Sequence, residues 1–305
     1  MCVMLFVVLV FSLQSPPQPP PSIKYPASAA RIERLFHTFT TANDDKLESA
    51  ARKSVQEMYA SHGLFTIAEV GDEPSYEFVV LLSSDAISLD RRAAILDKVH
   101  VAAARGDLSA DAASFFAARL RFDRIKHEAA SHPPANPQLR DQIERMSALD
   151  QEVRQPQGFN MRKLQEADRK NTALLLSILN RFGVPTYSLV GPQAAADFFT
   201  MIQHQSPEFR RRVLPQLKAN AAAGEADPQS FAMVYDRSRS DAGQKQLYGE
   251  QLVCKAGEKM HEAPMVDPAN VNQRRAELGL IRVELYARLL AELEPQFCPP
   301  ASSKK

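Results

Sequence analysis

The residues of this chain most able to do chemistry lie in its second half: Asn171, Gln203-His204, Asp236-Arg237, Gln246, Tyr248, Gln251 and Arg274-Arg275. His204, helped by Asp236 or Tyr248, has the make-up of a general acid or base for a hydrolase-type reaction. Asn171, Gln203, Arg237, Gln246, Gln251, Arg274 and Arg275 would bind a ligand, with an arginine gripping an anionic group through two parallel hydrogen bonds. Each residue also has a plainer role. A histidine at a helix C-terminus often bonds loop carbonyls, and its charged form is favoured there. Tyr248, in a glycine-bounded turn, would anchor the core. A buried Arg274 or Arg275 needs a carboxylate opposite it, and Asp150, Asp168 and Asp236 are the candidates. Asp150 and Arg154, one helical turn apart, are spaced to pair with each other.

The apolar frame beneath these residues recurs earlier in the chain. Gly63 to Gly71 lies over Gly183 to Gly191, Phe78 over Phe198 and Arg91-Arg92 over Arg211-Arg212. After a slip, Gly106-Asp107 matches Gly224-Glu225, and after another, Ser114-Phe115 matches Ser230-Phe231. Such self-similarity marks an internal duplication. The polar residues mostly fail to recur: Ala51 replaces Asn171, Ser83-Ser84 replace Gln203-His204 and Leu120 replaces Asp236. A packing network would serve both copies, whereas a site is needed in one.

What positions these residues is helical. Glycine is scarce, with 11 residues in 305, and no phosphate loop, dinucleotide fingerprint or nucleophile elbow is present. The periodicity predicts a mainly all-α protein of two related blocks of stacked helical hairpins, with one small β-hairpin inserted near 251–266. The first block, 29–130, reads as degenerate scaffold. Prolines make 131–137 a linker, and the block carrying the polar signature spans 138–297. Both copies read as helix, glycine, short extended stretch, Val-Gly and further helices. Leu139, Ile143, Met146, Leu149 and Val153 form one stripe. A long helix from Met161 to Phe182 carries Asn171. Asp267-Pro268 opens a last helix running to about Leu293, with Val271, Leu278, Leu285 and Leu289 facing the core. The run Arg210-Arg211-Arg212 wraps around its helix and reads as a solvated face.

The apolar run Val3 to Leu13 has the length of a signal-peptide core and is too short to span a bilayer. Residues 1–15 therefore read as a signal peptide, 16–28 as a proline-rich linker and 298–305 as a tail, giving an exported protein. Cys254 and Cys298 would then be placed to bridge, or to stay as two separate thiols. A net charge of +1 leaves no electrostatic footprint for nucleic acid. No histidine or cysteine pair has metal-site spacing, and nothing in the sequence calls for a cofactor.

From about Ser147 to Leu290 the chain resembles an uncharacterised bacterial domain-of-unknown-function family. The resemblance rests on Asp150 and Arg154, Asn171, Gly183-Val184-Pro185, Gln203-His204, Asp236-Arg237 and Gln246-Leu247-Tyr248-Gly249. The pattern departs at Glu250, where the family carries Thr, and at Asn272, where it carries Asp. The resemblance implies kinship and no activity. Three readings stand: a helical domain binding a small or peptide ligand in a pocket of Asn171, His204, Asp236, Tyr248 and Arg275; a hydrolase-type enzyme using His204 and Asp236; and a structural or protein-interaction helical repeat.

Overall fold

The computed structural model describes residues 23–41, 44–155, 160–254 and 261–291. The apolar N-terminal run, the 298–305 tail and Cys298 of the expected bridge lie outside the described residues. The first half forms α1 (Pro26–Thr41), α2 (Asp45–His62), the single turn α3 (Ile67–Val70), α4 (Asp72–Ser83), α5 (Leu89–Ala104) and α6 (Ala110–Ser131). The second half runs through the same order: α7 (Pro137–Glu152), α8 (Met161–Phe182), the single turn α9 (Tyr187–Val190), α10 (Pro192–Gln203), α11 (Pro207–Ala223) and α12 (Pro228–Asp241). A small antiparallel hairpin follows, β1 (Leu252–Val253) with β2 (His261–Glu262), so the protein is mainly all-α as expected. Among the described residues, no helix is long and apolar enough to cross a membrane.

Local chemistry sets these elements. Asp44, Ser88, Asn136, Asn160, Ser206 and Asp227 each accept a backbone N–H from the first turn of the helix they precede, which satisfies donors that helix geometry leaves open. The stretches after Gly63 and Gly183, expected to be extended, each close instead into one helical turn. Thr186 caps α9 through Leu189 N, and Thr66 with Glu69 forms a reciprocal box on α3.

The two halves share their fixed points. Tyr25 N donates to Glu69 O at 2.7 Å, and Asn136 N to Leu189 O at 2.8 Å. Ile67 N donates to Asp107 O at 2.8 Å, and Tyr187 N to Glu225 O at 3.0 Å. Arg92 on α5 and Arg210 on α11 are both buried, and each bonds the last carbonyl of the preceding helix. Each also pairs at 2.6 Å with a carboxylate, Asp123 on α6 or Asp241 on α12. This corrects two expectations. Arg92 matches Arg210, because the connection before α11 is two residues shorter than that before α5 (Ser84 to Leu89 against His204 to Pro207). Arg210 is an interior ion pair and not part of a solvated face.

The predicted last helix is two helices. A 3-10 turn (Pro268–Asn270) leads into α13 (Val271–Glu277), which stops at Leu278-Gly279, and α14 (Val283–Ala291) resumes. Gly279 takes φ 66°, and a Cβ there would lie 3.1 Å from Arg119 N and 3.2 Å from its Cα. The chain must turn left-handed while touching the backbone of α6, which only glycine allows. Gly279→Ala is therefore expected to cost at least about 1–2 kcal/mol from the backbone alone, read by urea unfolding; an unchanged midpoint would show that α6 yields. Beyond this turn the chain crosses to the first half. Ala276 and Leu285 join the first half's core, while Leu278 packs on the second. Arg282 binds Asp111 and Asp72 at 2.6 Å over the Tyr76 ring, and Arg288 binds Glu73 and Glu77.

Candidate functional site

The polar residues separate into two groups, and no hydrogen bond among the described residues joins them. The first centres on Asp150. On α7, Leu139, Ile143 and Met146 form the buried stripe, and its helical continuation is Asp150, 1% exposed. The expected member Leu149 is 64% exposed. A carboxylate so placed costs several kcal/mol unless it is paired and hydrogen-bonded. Its partners arrive from three directions. Arg154 grips it with Nε and Nη2, both at 3.0 Å. Asn171 Nδ2 on α8 donates at 2.9 Å. His204, the C-cap of α10, places Nδ1 3.0 Å from Oδ2. Burial pushes the Asp150 carboxyl up, but the hydrogen bonds from His204 and Arg154 and their charge overcome it and bring it to about 2. Asp150 is thus a carboxylate, so His204 carries a proton on Nδ1, and its neutral form presents Nε2 as an acceptor. Arg154 Nη2 also reaches Asp168 at 2.5 Å.

This arrangement leaves two side-chain nitrogens, His204 Nε2 and Arg154 Nη1, without a hydrogen-bond partner among the described residues. Both side chains are about a quarter exposed, at 26% and 22%. Around them, Thr172 Oγ1 donates to Gln205 Oε1 at 2.6 Å, and the Gln203 carbonyl accepts from Arg210.

The second group organises a loop. Asp236, fully enclosed on α12, accepts Leu247 N at 2.7 Å and Tyr248 N and Glu250 N, each at 3.0 Å. Burial raises its carboxyl, and these amides and the Arg275 charge oppose the rise. Gln246 ties Gln251 to the hairpin through Gln251 N, Gln251 O and Ala263 O. Arg274 bonds the carbonyls of Leu247, Val266 and Asp267. Arg275, with no exposed surface, bonds Ile281 O, Tyr248 O and Glu250, and lies over Tyr286. Tyr248 packs edge-on against Phe231 and Tyr235, and burial pushes its hydroxyl up to about 12.

Three expectations are thereby corrected. His204 is oriented by Asp150, and not by Asp236, whose oxygens are occupied by loop amides. Asn171, His204, Asp236, Tyr248 and Arg275 do not line one pocket. Arg237 is exposed on α12, apart from both groups. Two clefts, of about 770 and 910 Å³, lie between the halves instead, and neither touches His204 or Asp236. Among the described residues, no group of three or more His, Cys, Asp or Glu could hold a metal.

A family model described as "Family of unknown function (DUF6624)" matches residues 135–294, more than half of the chain. The chain belongs to this family. No curated protein and no solved structure matches it. Both polar groups fall inside the matched span, while α1 to α6 fall outside it. The family span nevertheless rests α13 and α14 on that outside part, through Arg282 and Arg288. Asp150, Arg154 and Asp168 were legible only as partner carboxylates and a local ion pair. Their signal was the turn-spaced Asp150 and Arg154 pair on a buried stripe.

Proposed function

We propose that the second half is a hydrolase-type site in which Asp150 orients His204 and His204 acts as general base and acid. One observation carries this reading: a single buried carboxylate holds an imidazole and a guanidinium, and each keeps one nitrogen open to solvent. His204 Nε2 would take a proton from water as its oxygen attacks an electrophilic carbonyl, then return that proton to the leaving group. Asp150 would stabilise the imidazolium formed in between, and Arg154 Nη1 would face the negative charge developing on the carbonyl oxygen.

The first half argues against a purely packing role. With Pro26 matched to Pro137, Phe39 stands where Asp150 does; with Gly63 matched to Gly183, Ala51 stands for Asn171 and Ser84 for His204. The same helices pack there without the polar hub. We also propose export, on the apolar run Val3 to Leu13 ahead of the proline stretch.

Diethyl pyrocarbonate, which acylates an unprotonated imidazole nitrogen, tests the dyad without a known substrate. Peptide mapping is expected to show His204 modified faster than the more exposed His132, and several-fold slower in Asp150→Asn. His204→Asn, whose amide nitrogen takes the place of Nδ1 and still donates to Asp150, is expected to unfold within about 1–2 kcal/mol of the parent. Equal modification of His204 in parent and Asp150→Asn would overturn the reading.

A further inference from the structure

The turn that carries His204 is held by a buried guanidinium that makes no hydrogen bond to the imidazole. Arg210 on α11 donates from Nη1 to Gln203 O at 3.2 Å and to Gln205 O. These carbonyls lie on either side of His204 at the end of α10, where a helix leaves its own carbonyls unpaired. Nη2 of the same group is anchored on Asp241 of α12 at 2.6 Å. The Gln205 side chain is fixed as well, by Thr172 on α8 at 2.6 Å. The backbone around His204 is thus tied to α8, α11 and α12, while its ring reaches Asp150 on α7.

The first half shows the same clamp without a histidine to hold. Arg92 and Asp123 take the places of Arg210 and Asp241, and the Arg52 and Asp85 ion pair takes that of Thr172 and Gln205. Among the described residues, Arg92 bonds one carbonyl of its turn, that of Ser83. With a connection two residues shorter, Arg210 also reaches the carbonyl on the far side of His204. The added bond falls at the position where Ser84 gives way to His204.

We propose that Arg210, anchored by Asp241, is a positioning residue for His204: by fixing both flanking carbonyls it aims Nδ1 at Asp150. The inference rests on the Asp150 and His204 dyad. The 3.0 Å contact tolerates a displacement of only about 0.5 Å before it weakens. An imidazole that donates to a carboxylate keeps its proton on the donating nitrogen, and one released from it mixes its two neutral forms. The tautomer of His204 therefore reports the clamp. Lysine at position 210 would keep the charge but not the planar fork that spans two carbonyls and a carboxylate.

Long-range proton–nitrogen NMR of the full chain, with labelled histidine in mildly alkaline buffer, reads which ring nitrogen is protonated; His204→Asn identifies the signal. The parent is expected to hold Nδ1–H. Arg210→Lys is expected to move the ratio at least about tenfold towards Nε2–H, the size of losing one hydrogen bond to a charged group. Asp241→Asn, at a partly exposed residue, should act in the same direction and carries the test if Arg210→Lys does not fold. Arg92→Lys, the same change in the first half, should leave the His204 signal as in the parent. An unchanged ratio in Arg210→Lys or Asp241→Asn, or an equal shift in Arg92→Lys, would overturn the proposal. A parent protonated on Nε2 would overturn the dyad itself, and the proposal with it.

Discussion

Replacing Arg275 with methionine is expected to destabilise the protein by about 3–5 kcal/mol, because it leaves a buried carboxylate without its counter-charge. Arg275 and Glu250 are both fully enclosed, and their Nη1 to Oε1 contact is 2.8 Å. The same guanidinium closes the carbonyls of Ile281 and Tyr248, which hold the turn after α13 and the loop after α12. A loss of this size is a large share of the roughly 5–15 kcal/mol that keeps a domain folded. The loss should also grow with pH. Burial pushes the Glu250 carboxyl up to about 7, against the charge and hydrogen bond of Arg275. Without Arg275 it rises further, so at pH 5 the variant holds a neutral acid and at pH 8 it must bury a charge or unfold. Urea unfolding of parent and variant at the two pH values measures this. A loss under 1 kcal/mol at pH 8, or one equal at both, would mean that Glu250 is not the group left unpaired. In a Glu250→Gln background the same substitution should cost less, the signature of a coupled pair.

That Arg275 is structural, while His204 stands in an open dyad, could not be read from their spacing. Sequence periodicity tells which face of a helix a residue occupies, not which other helix that face meets. Asp150 and His204 meet across 54 positions, and nothing local at either one names the other. Within single helices the sequence was legible. The Met161 to Phe182 helix has Asn160 as its cap and Asn171, Leu175 and Ile178 on its buried face, and it came out with its expected ends. The helix expected to continue through Gly279 failed for a tertiary reason: α6 passes so close that the chain must turn there. Leu278 and Leu285 kept a helical period across that break, yet they serve different cores. The match of Arg92 to Arg210 was obscured by a two-residue difference in loop length, which flanking arginines on both copies disguise.

Stability is expected to fall as the pH rises from about 4.5 to about 7. Two carboxyls drive this, one in each polar layer against the C-terminal helices. Glu77, in the first core, is pushed up to about 7 by burial, with Arg288 opposing, and its Oε2 has no partner. Glu250 is pushed to the same range by the same cause. Each is raised in the folded state from an ordinary value of 4.5, so the folded protein holds the proton more tightly than the unfolded chain. The unfolded chain releases it first as pH rises, and the folded state loses its advantage between the two values. At about 1.4 kcal/mol per pH unit, each group accounts for about 3 kcal/mol across that window. Asp150 works at the other end. It is held near 2, so its contribution is present above the unfolded value and is lost as the pH falls through about 4 to 2. The optimum should therefore lie near pH 4 to 5. Urea midpoints measured from pH 3 to 8 would trace the curve. Glu77→Gln and Glu250→Gln should each remove about half of the fall, and Glu250→Gln should exceed the parent in stability at pH 8, where Asp236 still balances Arg275. A parent curve that is flat or rising between pH 5 and 7 would show that both carboxylates are already fully compensated by their arginines.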